Sequence, residues 1–225
     1  MVNVDTVYQR VLAIANKEQR GYITPLEFNL LANQAQLETF ESYFVQLNEA
    51  LTLPGNNSEY SDVINTLNEK ISIFVDEALL AKPGNYFEFP SNMYKLGTLY
   101  YTPGGSLDLV DRVEIQEIDY NELLDYNNSP LTKPTLSKPI YVQTRGALQV
   151  LPSTIISNVK AVYTRIPSEV KWGYVVTNEQ ALYNASASTN FELHASEEVA
   201  LVAKILGLAG IIMQKDLTGA PAAQQ

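Results

Sequence analysis

The chain contains no cysteine and only one histidine, His194. The first absence excludes a disulfide framework, a thiolate metal site and a cysteine nucleophile, and it fits assembly in a reducing cytoplasm. The second means that any imidazole metal site or Ser-His-Asp triad would have to use His194. That residue stands just before the last helical stretch with no motif around it, and it reads as a helix-start or surface residue. Cations are scarce: 15 Lys and Arg face 25 Asp and Glu, for a net charge of -10. A protein that grips DNA through its phosphates needs a basic surface. This chain is expected at most to surround DNA as a repulsive wall, and otherwise its acidity serves solubility.

Long apolar runs are also missing. The most apolar stretch, Val199 to Met213, is shorter than the ~18 residues of a spanning helix and carries Lys204, so it reads as a buried helix and no membrane is expected as a partner. The opening Met1-Val2-Asn3-Val4-Asp5 has no basic segment ahead of an apolar run, so no signal peptide is expected. Gly97, Gly104 and Gly105 fit neither Gly-x-x-x-x-Gly-Lys-Ser/Thr nor Gly-x-Gly-x-x-Gly; Pro103-Gly104-Gly105 reads as a tight turn.

What is present is enough for a core. The 225 residues suit one domain or two small ones, with 46% hydrophobic and only 18% charged residues. Disordered chains show the reverse balance, and surface polarity here must fall on Asn, Gln, Ser and Thr. Val4, Val7, Val11 and Ile14 recur at helical spacing, giving a first helix that stops near Arg20-Gly21. Thr24-Pro25-Leu26-Glu27 restarts one: Thr24 caps the free N–H groups, Pro25 suits the first turn and Glu27 completes a capping box. Leu30, Leu37, Phe40, Phe44 and Leu47 continue that helix on one broad face to Pro54-Gly55-Asn56-Asn57. Ile64, Leu67, Ile71, Phe74, Val75 and Ala78 form a third stripe, ended by Lys82-Pro83-Gly84.

From there Pro, Gly and Asn clusters separate short β-rich runs. Thr98 to Tyr101 is one. Arg112 to Ile118 nearly alternates and reads as a half-buried strand. Asp119 to Leu124 fits one helical turn. Ile140 to Gln143 and Leu148 to Leu151 flank Arg145-Gly146 as a hairpin. Val159 to Arg165 alternates most clearly, and Trp172 to Val176 is expected to pair beside it. Ser196 reads as the cap of the last helix. Asp108, Asp111, Glu114 and Glu117 form an acidic group. Glu114 and Glu117 point to opposite faces of a strand, so the group reads as a solvated edge that blocks stray pairing rather than paired catalytic carboxylates. The 14 tyrosines suit partly wet protein contacts better than base stacking, since no basic groove accompanies them. Trp172 fits a core position better than an interface anchor. The last helix is apolar nearly all round, so a neighbouring subunit is a reasonable second cover.

These readings give an α+β fold: an N-terminal helical bundle (residues 1–84), a central antiparallel β-rich region (85–195), and a C-terminal hydrophobic helix that packs back and continues into an extended arm (196–225). No catalytic, cofactor-binding or metal-ligating residue is expected; subunit or partner contacts are expected at Ile211, Ile212, Met213 and Pro221. The arm after Lys215 is expected to be ordered only by another chain.

The block Val4-Asp5-Thr6-Val7-Tyr8-Gln9-Arg10-Val11-Leu12, with Asn16-Lys17-Glu18-Gln19-Arg20-Gly21-Tyr22-Ile23-Thr24-Pro25 and Phe28-Asn29-Leu30-Leu31-Ala32-Asn33-Gln34-Ala35-Gln36, resembles the N-terminus of virion structural proteins of crAss-like and related short-tailed phages. The Pro-rich β segment, the strand Val159 to Arg165 and the closing apolar helix are similar to head-to-tail adaptor or tail-tube gatekeeper proteins. The likeness spans most of the chain, but only its N-terminal block is specific; the rest is architectural. It implies a non-enzymatic homo-oligomeric ring, usually dodecameric, that docks to the portal or to another neck or tail ring. Such a ring seals the head after packaging and passes DNA at ejection without binding it specifically. It implies a place in the virion after assembly in the host cytoplasm, and no catalytic residue, cofactor or metal ligand. A tail-tube, tail-hub or capsid-accessory subunit remains the alternative, followed by a virion-borne glycan hydrolase or a glycan-binding module.

Overall fold

The computed structural model describes residues 1–17, 22–52, 58–105, 111–144, 146–178 and 180–210. Gly21, Asp108 and Arg145 lie outside these residues, as do the contacts expected at Ile211, Ile212, Met213 and Pro221 and the arm that follows them. The fold is α+β. The chain divides into two units, one of Met1–Ile73 with Pro167–Gln225 and one of Phe74–Ile166. The β-rich unit is thus inserted between two stretches that build the helical one, which differs from the three consecutive spans read from the sequence.

The helical unit holds α1 (Val4–Lys17), α2 (Pro25–Thr52), α3 (Ser58–Ser72) and α5 (Glu198–Leu208), with a two-stranded sheet of β8 (Tyr174–Thr177) and β9 (Gln180–Tyr183). Helix α1 starts where Asn3 Oδ1 accepts hydrogen bonds from the N–H groups of Asp5 and Thr6, at 2.9 and 3.1 Å. Val4, Val7, Val11 and Ala15 bury one stripe of it. Helix α2 starts as its sequence dictates. Thr24 Oγ1 accepts from the Glu27 N–H at 3.3 Å, and Glu27 Oε2 accepts from the Thr24 N–H at 2.9 Å and its hydroxyl at 2.8 Å. These reciprocal bonds satisfy donors that a helix start leaves free. Helix α5 packs on α1 and α2 through Leu201, Val202, Ile205 and Leu206. Val199 on its other side stays 72% exposed, so the described part of α5 is covered on one face rather than on most sides.

The second unit is a curled sheet with strand order β1-β7-β3-β4-β5-β6-β2. Its strands are β1 (Val75–Leu79), β2 (Phe87–Glu88), β3 (Met93–Tyr101), β4 (Val113–Glu117), β5 (Ile140–Thr144), β6 (Ala147–Leu151) and β7 (Val159–Arg165). The pairings are antiparallel except β4 with β5, which is parallel. The β5–β6 hairpin and strand β7 fall where alternation and turn chemistry place them. A core of Leu80, Phe87, Leu99, Ile115, Leu148, Val150, Ile155, Val159 and their neighbours fills one side. On the other, Leu123 and Tyr126 of α4 (Leu123–Asn128) pack on Ile118, Ile140 and Val142. Gly97 sits where β3 slips register against β7. A Cβ there would lie 2.8 Å from the Val162 carbonyl oxygen, so the close approach of the two backbones requires glycine.

Four expectations are corrected. The third stripe is not one helix: α3 ends at Ser72, and Val75 and Ala78 belong to β1, which pairs with β7. Trp172 to Val176 does not pair with β7; β8 pairs with β9 instead. Glu114 and Glu117 lie on an interior strand, since β4 is hydrogen-bonded to both β3 and β5; both are exposed although the strand is not an edge. On α2, Leu30 and Leu37 are exposed, while Phe28, Ala32, Ala35, Gln36, Thr39, Phe40 and Tyr43 are buried.

Candidate interaction surface

The burial pattern of α2 follows from what lies beneath it. The extended segment that leads to β8 runs along the helix and is held by three amide side chains. Asn33 Oδ1 accepts from the Val170 N–H at 2.7 Å, and its Nδ2 donates to the Val170 carbonyl at 2.8 Å. Asn29 repeats this on Trp172, accepting at 2.7 Å and donating at 3.3 Å. Gln36 donates to the Ser168 carbonyl at 2.8 Å and accepts from the Glu192 N–H at 3.0 Å. The spacing works because two helix steps, of four and three residues, rise roughly 6 and 4.5 Å, while two residues of extended chain rise roughly 6.6 Å; the longer Gln side chain makes up the difference at one end. The helix therefore offers side-chain amides where a neighbouring strand would offer its backbone.

The segment delivers Trp172 into the core, where it is 2% exposed. Its indole N–H donates to Asp5 Oδ1 at 2.9 Å, and its ring lies 4.5 Å from that of Tyr8. Burial pushes the Tyr8 hydroxyl well above the usual tyrosine range; it donates to the Ile23 carbonyl at 3.0 Å. Beyond Trp172, Gly173 passes so close to the backbone of Ala187 that a Cβ would meet its carbonyl oxygen at 2.5 Å. The Gly173 N–H donates to Ser188 Oγ at 2.9 Å and its carbonyl accepts from the Asn184 N–H at 2.9 Å.

That clamp holds the base of the β8–β9 hairpin. Tyr174 faces Tyr183 across it, and the Trp172 ring contacts both, with centroids 5.8 and 5.7 Å away. Further out the hairpin is bare. Val175 and Leu182 share one face and are each 52% exposed, and Val176 on the other face is 63% exposed. A two-stranded hairpin is marginal without something to cover it.

A second uncovered surface lies on α2, beside the amide ladder. Leu26, Leu30, Leu37, Val45 and Leu51 are between 42% and 67% exposed. Glu27, Glu41 and Glu49 are exposed among them. Glu38 pairs with Lys204 at 3.3 Å. Helix α2 carries no Lys, Arg or His. The Thr24 backbone N–H, and then the Thr24 hydroxyl, hold the Glu27 carboxyl below the usual carboxylate range.

Elsewhere the residues singled out for chemistry are occupied locally. Ser196 does not cap α5, whose N-cap is Glu197 without a side-chain bond; His194 caps the short 3-10 turn Ala195–Glu197 just before it, its Nδ1 accepting from the Ser196 N–H at 3.2 Å and sharing a 2.9 Å contact with Ser196 Oγ. Glu77, on β1, meets Lys160 at 2.8 Å and Arg112 at 3.4 Å, and the Lys160 bond is the main cause that lowers its carboxyl. Arg112 lies 4.3 Å over the Tyr100 ring. Burial, with Glu77 beside it, pushes the Tyr100 hydroxyl up to about 12. No group of three or more His, Cys, Asp or Glu able to hold a metal ion occurs among the described residues. No described helix is long and apolar enough to cross a membrane. A polar concavity of about 640 Å³ lies beside β4, lined by Glu114, Tyr126, Lys133 and Lys138 among others.

Sequence reasoning missed the amide ladder and the β8–β9 hairpin. Three amides at seven-residue reach on one helix, and Asn178 between Val175-Val176-Thr177 and Gln180-Ala181-Leu182, were the available signals. Compared with known proteins, the chain matches no family model and no curated sequence.

Proposed function

We propose that the chain is a structural subunit of a tailed-phage virion, one copy of an oligomeric ring at the head-to-tail junction that docks to the portal or a neighbouring ring and walls part of the DNA path. The observation that carries this reading is the β8–β9 hairpin: an apolar arm, bare on both faces, set on a rigid base by Trp172, Gly173 and Asn29. Exposed apolar surface that is rigidly presented marks protein contact, and a ring subunit needs such an arm to reach the next copy. The resemblance of the N-terminal block points the same way. The net charge of -10 suits a conduit that lets DNA slide, because cationic contacts are what hold phosphate; the bore is expected to be neutral or acidic.

The test is cryo-electron microscopy of purified particles of the phage that encodes the chain, with its mass confirmed in the particle. The expected result is a ring on the tail axis in which the hairpin lies against an adjacent copy or an adjoining ring. Absence of the chain from the particle refutes the reading. A continuous Lys/Arg stripe along the bore refutes its view of the conduit.

A further inference from the structure

We propose that the outward face of α2 is a docking site for a basic amphipathic helix of a different protein. The geometry begins with the spacing. Leu30, Leu37, Phe44 and Leu51 recur every seven residues, and Leu26, Asn33, Phe40 and Leu47 fall between them at the three- and four-residue steps of a heptad seam. The two rows have different fates. Phe40 is fully buried and Asn33 is committed to Val170, so the middle of that row is used within the chain. Leu30, Leu37 and Leu51 are left at 67%, 42% and 64% exposure, with Leu26 beside them at 67%. Phe44 rests edge-on against Phe40 at 5.1 Å between ring centroids. From Leu26 to Leu51 the row runs for about 38 Å at 1.5 Å per residue. A row of that length and period winds slowly around its helix, by about 20° per heptad, and is the shape that accepts another helix at a shallow crossing angle; strands and loops do not follow it.

Charge selects the occupant. Glu27, Gln34, Glu41 and Asn48 form the next seven-residue row and rim the leucines on one side; all four are exposed. With Glu38 and Glu49 the helix carries four glutamates and no cation. A second copy of α2 laid along this row would bring only Glu, Gln and Asn to the rim and no cation, so two acidic helices would repel with nothing to offset it. An anionic lipid surface or a nucleic acid is repelled for the same reason. What remains is a helix with an apolar stripe flanked by Lys or Arg, whose cations meet Glu27 and Glu41 two heptads apart. This goes beyond the virion reading and does not depend on it.

The experiment uses the full chain and two synthetic probes. One is a Leu/Lys heptad peptide of about 25 residues, long enough to span the row; the other carries Glu at every Lys position. Binding is followed by fluorescence anisotropy at low and raised salt, against wild type, Leu30→Asp/Leu37→Asp and Glu27→Gln/Glu41→Gln. The substituted leucines are exposed, so circular dichroism melts should match wild type. The expected result is binding of the Leu/Lys probe alone. It should weaken by about tenfold or more in the leucine double variant, and weaken with salt and in the glutamate double variant. The proposal is overturned if wild type and the leucine variant bind the Leu/Lys probe equally, if the Leu/Glu probe binds as well, or if neither binds. It is also overturned if sedimentation shows that the leucine variant dissociates a dimer of this chain. None of these outcomes depends on particle assembly, so failure here leaves the ring reading to its own test.

Discussion

Asn33→Leu isolates the amide ladder, because it keeps the side-chain volume and removes both hydrogen bonds to Val170. Val170 is 2% exposed, and its N–H and carbonyl are held by Asn33 at 2.7 and 2.8 Å. Each buried backbone group left without a partner costs roughly 1–3 kcal/mol. Leucine returns part of this, about 0.5 kcal/mol or less in helix propensity and about 1 kcal/mol of apolar burial at a half-buried position. The net expectation is a loss of roughly 1–4 kcal/mol. The assay is urea unfolding followed by the fluorescence of Trp172, the chain's only tryptophan. It sits two residues from Val170 and reports the helical unit by itself. At a slope of about 2 kcal/mol per molar, the midpoint should fall by roughly 0.5–2 M. Ser168→Ala is the control: it removes one exposed hydroxyl bond to Glu192, 3.1 Å long, and should change stability by less than about 0.5 kcal/mol.

Asn33→Asp tests the same ladder by sign. One carboxylate oxygen can still accept from the Val170 N–H, but the other faces the Val170 carbonyl and repels it. The folded state should therefore favour the protonated acid, which can donate to that carbonyl, and its pKa should rise above the unfolded value. Stability gained from that protonation is complete below the unfolded pKa and is lost as pH rises through the folded one. The Asn33→Asp protein should thus approach wild type in acid and fall away towards neutrality. If Asn33→Leu shifts the midpoint no more than the Ser168 control, or if Asn33→Asp weakens with falling pH, the ladder does not hold the segment.

Three further outcomes are expected. Thr24→Ala should lower the melting temperature by a few degrees at neutral pH, through loss of the cap; the hydroxyl's share in holding the Glu27 carboxyl below its unfolded pKa is present above the unfolded value and is lost as pH falls through the folded one, while the bond from the Glu27 N–H to Thr24 Oγ1 does not titrate, so thermal melts of the two proteins should draw closer in acid without meeting. His194→Ala should cost about 0.5–1 kcal/mol as a cap loss and abolish no reaction; a hydrolytic activity that vanished with this change would contradict the structural reading. Gly97→Ala should destabilise the β-rich unit by about 1–3 kcal/mol, since its Cβ meets the Val162 carbonyl oxygen at 2.8 Å, and amide exchange along β3 and β7 should accelerate; unchanged exchange would mean that the bulge relaxes freely.

What could be read from the sequence was local. The Thr24–Glu27 box acts over three residues, and β5–β6 closes over a turn at Gly146, so neighbouring residues contain the whole cause. Strand β7 alternates because one of its faces is buried. The end of α3 was not local. Phe74, Val75 and Ala78 satisfy a helical stripe and a strand equally well, and β1 is chosen only because β7 supplies its partner far along the chain, Val75 facing Thr164. The same ambiguity misplaced Trp172 to Val176. Alternation identifies a strand but not its neighbour, and the neighbour proved to be β9, a few residues away.

The face of α2 was misread for a different reason, and that error is informative. Summed hydrophobicity points to the Leu30–Leu37 row as the core, since leucine gains most from leaving water. The fold buries Ala32, Ala35, Gln36 and Thr39 instead, and the amides of Asn29, Asn33 and Gln36 give the extended segment partners that apolar bulk could not supply. A helix whose most apolar row faces outward carries a free-energy cost in the isolated chain: five large side chains, Leu26, Leu30, Leu37, Val45 and Leu51, stay in water. Turning α2 to bury them is blocked, because Asn29, Asn33 and Gln36 would leave Ser168, Val170 and Trp172 unsatisfied. The ladder thus fixes which row is presented, and the glutamates beside that row restrict what can cover it.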